Sequence, residues 1–267
     1  MNFYKDLETA LTSSNINTKE LIVNEALKFC KENSSFGFES PKVFDKPSYS
    51  DICKIVKGYE VRSRKRLDTK EGLIALLHSI AHIEYSAIDL ALDAAYRFDM
   101  PNEFKIDWLN VAADEIRHFK MIEEILKELG SFYGDLPVHR ALFDIGKRTN
   151  SSLLDRMAVV PRYHEASGLD VNRVIINKIK ANSKLSISKK VVDALEVIYI
   201  DEIEHVKKGD KWFKYLCHKK KLNYKQTYID IIKRYNLVPK AKGFNIEARK
   251  MAGFSCEELI ELGAKKC

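Results

Sequence analysis

Two stretches of this chain space acidic and imidazole side chains as metal binding requires: Asp114-Glu115-Ile116-Arg117-His118 and Asp201-Glu202-Ile203-Glu204-His205. On a helix, residues three apart lie about 60° apart and just under one turn along the axis. Glu115 and His118 therefore share a face, as do Glu202 and His205. A carboxylate and an imidazole on one face make a half-site for a divalent transition metal. Two half-sites on two helices predict a site for two metals. A single match would mean little. With 7 His among 267 residues, random placement gives roughly 0.5 Glu-x-x-His matches but only about 0.04 of the longer Asp-Glu-x-x-His. The duplication carries the signal.

Long amphipathic helices must position these side chains. The first spans residues 69–98, with Leu73, Leu77, Ile80, Ala81, Ile88 and Ala91 in an apolar stripe and Glu84 in its middle. Pro101 breaks the chain, and a second helix over 103–129 carries Glu115 and His118 before Gly130 stops it. Residues 131–150 form a crossover with one short helical piece. A third helix from 151 carries Leu154, Ala158, Pro161 and Glu165 and ends before Gly168. Pro161 has no N–H for the carbonyl four residues back, which predicts a kink or break one turn before Glu165, with room there for substrate. A further piece covers 171–182, and a fourth long helix over 188–217 carries Glu202 and His205. Shorter helices are expected at 3–11, 18–32, 224–235 and 255–263, with loop from 33 to 51. No segment has a strand pattern. The expected fold is all-α and a single domain over 1–267: an N-terminal helical arm (1–66), a metal-binding four-helix core (67–220) and a C-terminal helical segment (221–267).

Four long helices thus carry, in order, Glu84, then Glu115 with His118, then Glu165, then Glu202 with His205. One Glu from each of two helices and Glu-x-x-His from each of two others is the ligand set of dimetal carboxylate bundles. An uncompensated carboxylate in an apolar core costs several kcal/mol, so four facing inward need a counter-charge. Two divalent ions with four carboxylates and two neutral imidazoles sum to zero. Oxygen and imidazole ligands without thiolate suit iron or manganese, and zinc is compatible. Asp114 and Asp201 are placed to receive the second ring N–H of His205 and His118. Arg117 and Arg162 are candidates to orient a carboxylate or a substrate anion. His78 and His82 form an i, i+4 pair, but His82 lies about 200° around the helix from Glu84 and reads as packing. His164 points away from Glu165, and Tyr85 and Tyr199 read as core tyrosines beside ligands.

Composition sets the outer bounds. Hydrophobic content of 45% and charged content of 31% give ample material for a core. Five cysteines without a Cys-x-x-Cys pair exclude a zinc ribbon or a rubredoxin-like iron centre and fit a reducing compartment. No signal layout or apolar run of membrane-spanning length is evident, so a cytoplasmic protein is expected, with no membrane partner. The net charge of +7 gathers in basic clusters at 62–66, 207–208 and 219–221. They are either a solvated lysine-rich surface or a phosphate-tracking one.

On these residues the chain resembles the ferritin-like superfamily of di-iron carboxylate proteins. Residues 114–118 look like the Asp-Glu-x-Arg-His motif of bacterial multicomponent monooxygenases, and the second copy departs from it with Glu204 where Arg is usual. The segments Tyr133-Gly134-Asp135-Leu136-Pro137-Val138-His139, Arg156–Arg162, His164–Asp170 and Ala248–Phe254 resemble a bacterial ferritin-like family known as a domain of unknown function and grouped with the di-iron tRNA hydroxylases. The resemblance implies a ferritin-like four-helix bundle with extra terminal helices and a di-iron or Mn/Fe centre. The activity expected is an O2-dependent hydroxylase or related oxygenase acting on a small molecule or a tRNA base, fed by an external electron donor. In that reading Glu115 and Glu202 chelate or bridge the metals, His118 and His205 bind one each, and Glu84 and Glu165 are terminal ligands. A ferroxidase or other iron-handling role is the alternative, and a homodimer is among the expected assemblies.

Overall fold

The computed structural model describes residues 1–33, 36–61, 66–182, 185–237 and 243–267. The fold is all-α; among the described residues β-structure is limited to one isolated parallel bridge, Ile55 to Val138. The chain divides into two compact units, Met1–Lys147 with Ile179–Ala194, and Arg148–Lys178 with Leu195–Cys267.

The first unit is built on the hairpin of α3 (Lys70–Arg97) and α4 (Asn102–Glu128), which pack on each other along their lengths. α3 starts where the Thr69 hydroxyl accepts from the Gly72 N–H at 3.1 Å, the ordinary N-cap bond. Apolar residues then cover most of its circumference, from Leu73 and Leu77 to Ala95 and Tyr96, and bury it as a core helix. α3 is also long and apolar enough on average to cross a membrane, yet 67% of its apolar window is buried inside the protein. α4 ends as expected at Gly130, whose φ of +70° suits glycine. There the Ser131 N–H reaches back to the Leu126 carbonyl at 2.9 Å. α1 (Phe3–Thr12) and α2 (Ile16–Glu32) pack on this hairpin, α1 on α3 and α2 on α4. Two 3-10 turns, Ser48–Asp51 and Gly58–Glu60, precede α3, and α5 (Ala141–Arg148) follows α4.

The second unit holds α6 (Leu153–Val159), a π-turn over Val160–Glu165, most of α7 (Ala166–Asn182) and of α8 (Ser188–Lys219), and three short helices: α9 (Tyr224–Arg234), α10 (Ile246–Met251) and α11 (Cys256–Glu261). Pro161 does disturb the helix, but by widening one turn rather than ending it. Gly168 does not stop the helix either; α7 runs through it because Ala166, Leu169 and Ile176 are wholly buried along one face. α10 has too few residues to show periodicity and starts at Asn245, whose side chain accepts from the Ala248 N–H. Cys256 and Cys267 are joined in a disulfide that their scattered spacing gave no reason to expect, while Cys30, Cys53 and Cys217 are buried free thiols.

Candidate metal centre

In the first unit, α3 and α4 bring Glu84, Glu115 and His118 together. Their periodicity leaves no alternative: each residue falls inside the apolar stripe of its helix, so packing the stripes carries all three into the interior. Glu84 is 4% exposed and Glu115 and His118 are fully buried. The His118 Nδ1 stands 3.2 Å from Glu84 Oε2 and 3.3 Å from Glu115 Oε2. Burial pushes the Glu84 carboxyl well above its ordinary range, and the neighbouring Glu115 pushes it the same way against the pull of His118. Two carboxyl groups and an imidazole nitrogen brought this close form a set of donors able to hold a metal ion. These three could hold a metal ion, and in the second unit Glu202 offers a ligand oxygen as well.

In the second unit, α8 sets Glu202 and His205 on one face, with His205 Nδ1 3.8 Å from Glu202 Oε1. His205 is buried and Glu202 half-buried. Glu165, also half-buried, is the last residue of the π-turn. The π-turn sits on α8 through a close approach: a Cβ added to Gly209 would lie 2.3 Å from the Pro161 ring. Farther along, Asn172 donates to the Leu195 carbonyl at 3.4 Å. The Pro161–Gly209 and Asn172–Leu195 contacts bracket an antiparallel pair, and Glu165 falls in the interval that opposes Glu202 and His205. Glycine at 209 was written in the sequence one turn after His205, and it is what lets the backbones come so near.

Arg162, a candidate to orient a ligand or a substrate anion, is committed elsewhere. Arg162 is wholly buried. It pairs with Asp210 at 3.0 Å and Glu258 at 2.6 Å, and its guanidinium lies within 4.7 Å of the ring centres of Phe213, Tyr228 and Phe254. Burial pushes the Glu258 carboxyl up, but Arg162 beside it and the Ser255 N–H outweigh burial and hold it below the ordinary range. The sequence gave no sign of Asp210 or Glu258 as partners, since they come from 48 and 96 residues away in the chain for Arg162. Arg117 is exposed and holds Asp114 at 3.1 Å. Asp201 is half-buried on α8.

His78 and His82 clasp the crossover loop. His78 Nε2 accepts from the N–H of Gly134 at 3.0 Å and of Leu136 at 3.3 Å. His82 bridges the Tyr133 hydroxyl at 2.9 Å and the His139 carbonyl at 2.6 Å. Burial lowers both imidazoles to about 4, so both are neutral at pH 7. Tyr85 donates to the Ser14 carbonyl at 2.9 Å, and Tyr199 accepts from Asn245 at 2.8 Å. His164 is half-buried against the Tyr163 ring. Of the basic clusters, Lys207 is paired with Glu204, and Lys219–Lys221 lie exposed at the carbonyl end of α8, where the helix dipole favours cations. Residues 62–65 of the first cluster lie outside the described residues.

Residues 9–260 match the family described as Protein of unknown function (DUF455). An uncharacterized protein of Haemophilus influenzae is 34% identical over 274 aligned positions, which span 96% of this chain and 92% of the relative. No solved structure matches the chain.

Proposed function

The chain belongs to the DUF455 family, and we propose that it acts as a dimetal carboxylate oxidoreductase, with iron as its metal and dioxygen as its oxidant. The observation that carries this reading is the buried trio of Glu84, Glu115 and His118, two carboxyl groups and an imidazole sealed from solvent and within 3.3 Å of one another through the His118 Nδ1, a donor set suited to a cation. In this reading Glu202, His205 and Glu165 supply the second unit's donors. Carboxylate oxygens and imidazole nitrogens without thiolate fit iron or manganese better than copper. A pair of iron ions would supply the one-electron chemistry and the affinity for dioxygen.

The chain's own groups do the rest. Glu115 and His118 hold fixed positions on a straight helix. Because burial holds the Glu84 carboxyl above its ordinary range, holding a cation there would require Glu84 to lose its proton, and binding would strengthen as pH rises. Tyr85 and Phe119, each one residue beyond a ligand, pack at 5.3 Å between ring centres and keep water from that side. Glu165 would serve from the widened turn, the less regular of the backbones that carry these donors.

The test is an anaerobic ferrous titration in dilute buffer with a pH indicator, followed by admission of oxygen. The expected result is two ferrous ions per chain, proton release on binding, tighter binding at higher pH, and oxygen uptake afterwards. A chain that stays empty when offered ferrous or manganous ions sinks the proposal. Full occupancy with no oxygen uptake removes the oxygenase reading and leaves a metal-holding protein.

A further inference from the structure

The second unit contains a cavity of about 400 Å³, within the ~300–1,000 Å³ range of small-molecule sites. Its walls are the rings of Tyr163, Tyr228 and Phe244 and the side chains of Val171, Val174 and Leu262. Tyr163 and Ser167 on its rim lie two residues before and two after Glu165. Two residues are about half a turn of helix, so the cavity opens on the opposite side of the helix from Glu165.

Ser167, Tyr228 and Arg249 in the wall already have polar partners. Ser167 donates to the Tyr163 carbonyl at 2.6 Å, and Tyr228 donates to the Arg162 carbonyl at 2.8 Å. Arg249 is buried and holds Asp170 through two parallel bonds, Nε to Oδ1 at 3.0 Å and an η nitrogen to Oδ2 at 2.7 Å. Its guanidinium stacks over Phe244 at 4.6 Å. That pair is neutral as a whole: an incoming anion meets Asp170 as soon as it meets Arg249, and an incoming cation finds Asp170 already taken. A charged ligand would lose its water here without gaining a partner. The apolar walls are the part left wanting cover, since Val171 is 53% and Val174 49% exposed although both line a concavity.

We infer that this cavity is a binding site for an uncharged, hydrocarbon-rich small molecule. The site is separate from the metal ligands, and the inference holds whether or not the chain is an oxidoreductase. It is tested on metal-free full-length protein with N-phenyl-1-naphthylamine, an uncharged dye whose fluorescence rises in apolar surroundings. Saturable binding of one dye per chain is expected, displaced by 1-decanol at least about tenfold more effectively than by decanoate or decylammonium. Val174→Trp fills the cavity and weakens dye binding by about tenfold or more while the helical circular dichroism stays unchanged. Val171→Asp, at a half-exposed position with little cost to folding, serves as the second variant and weakens the dye likewise. Non-saturable binding, equal competition by decanoate, or folded variants that bind dye as the wild type does would each overturn the inference.

Discussion

The same Glu-x-x-His spacing stands on two different kinds of backbone. In the first unit it belongs to α4, an unbroken helix packed along an equally regular α3, and Glu84, Glu115 and His118 are all sealed from solvent. In the second unit the spacing on α8 is as regular, but the glutamate set against it rides on a π-turn, and Glu165 and Glu202 are both half-buried. The first half rides on two regular helices packed along their lengths. The second depends on two specific devices: the notch at Gly209 that seats Pro161, and the buried Arg162 that ties the turn to Asp210 and Glu258. Identical ligand spacing therefore does not mean identical stiffness. Wide turns of this type recur at functional positions in helices, and here one lies beneath the glutamate that would need to move.

The largest way to break this contrast is to remove a ligand from each half in turn. Glu115→Ala is expected to abolish ferrous binding at the sealed half, whereas Glu165→Ala leaves at least one ion per chain bound; equilibrium dialysis with metal analysis reads both. Next comes Arg162→Leu, which leaves Asp210 and Glu258 buried beside no arginine and costs about 3–5 kcal/mol in urea unfolding. Glu258 is held below its ordinary range, so its pairing stabilises the fold above that range and is lost as pH falls. The penalty of Arg162→Leu should accordingly shrink in acid. Gly209→Ala forces a Cβ against the Pro161 ring and costs about 1–3 kcal/mol, while the first unit's ligands stay in place. The smallest effect sharpens the picture from the other side. Gly168 sits inside α7 with open space around it, so Gly168→Ala should raise stability by about 0.5–1 kcal/mol, seen as a higher unfolding midpoint. A decrease there would mean that the helix needs its slack beside the π-turn.

Much of the helical framework could be read from periodicity. The stripes of α3, α4 and α8 and the stop at Gly130 are all local signals, and the ligand spacing on α4 and α8 is a matter of counting by three. What could not be read depends on contacts made far along the chain. Pro161 announces a disturbed helix, but whether the turn breaks or widens is decided by the seat that Gly209 offers it. Arg162 looked free to serve a ligand because nothing near it in sequence suggests Asp210, Glu258 and three aromatic rings closing around it. His78 and His82 have the spacing of a zinc pair and instead hold a loop more than fifty residues downstream. Six residues are too few for α10 to reveal itself by pattern, and a disulfide between Cys256 and Cys267 is not encoded in any spacing rule.

The π-turn has one effect that reaches past its own span. It takes up one residue more than an ordinary turn, so every later position in α7 is rotated by about 100° from where a plain spiral would have left it. With that offset, Ala166, Leu169 and Ile176 point to the interior. Closing the same residues into an ordinary turn would instead put Glu165, Gly168 and Ile175 at those inward places. The extra residue thus works as a phase setting, and it determines which stripe of α7 the protein hides.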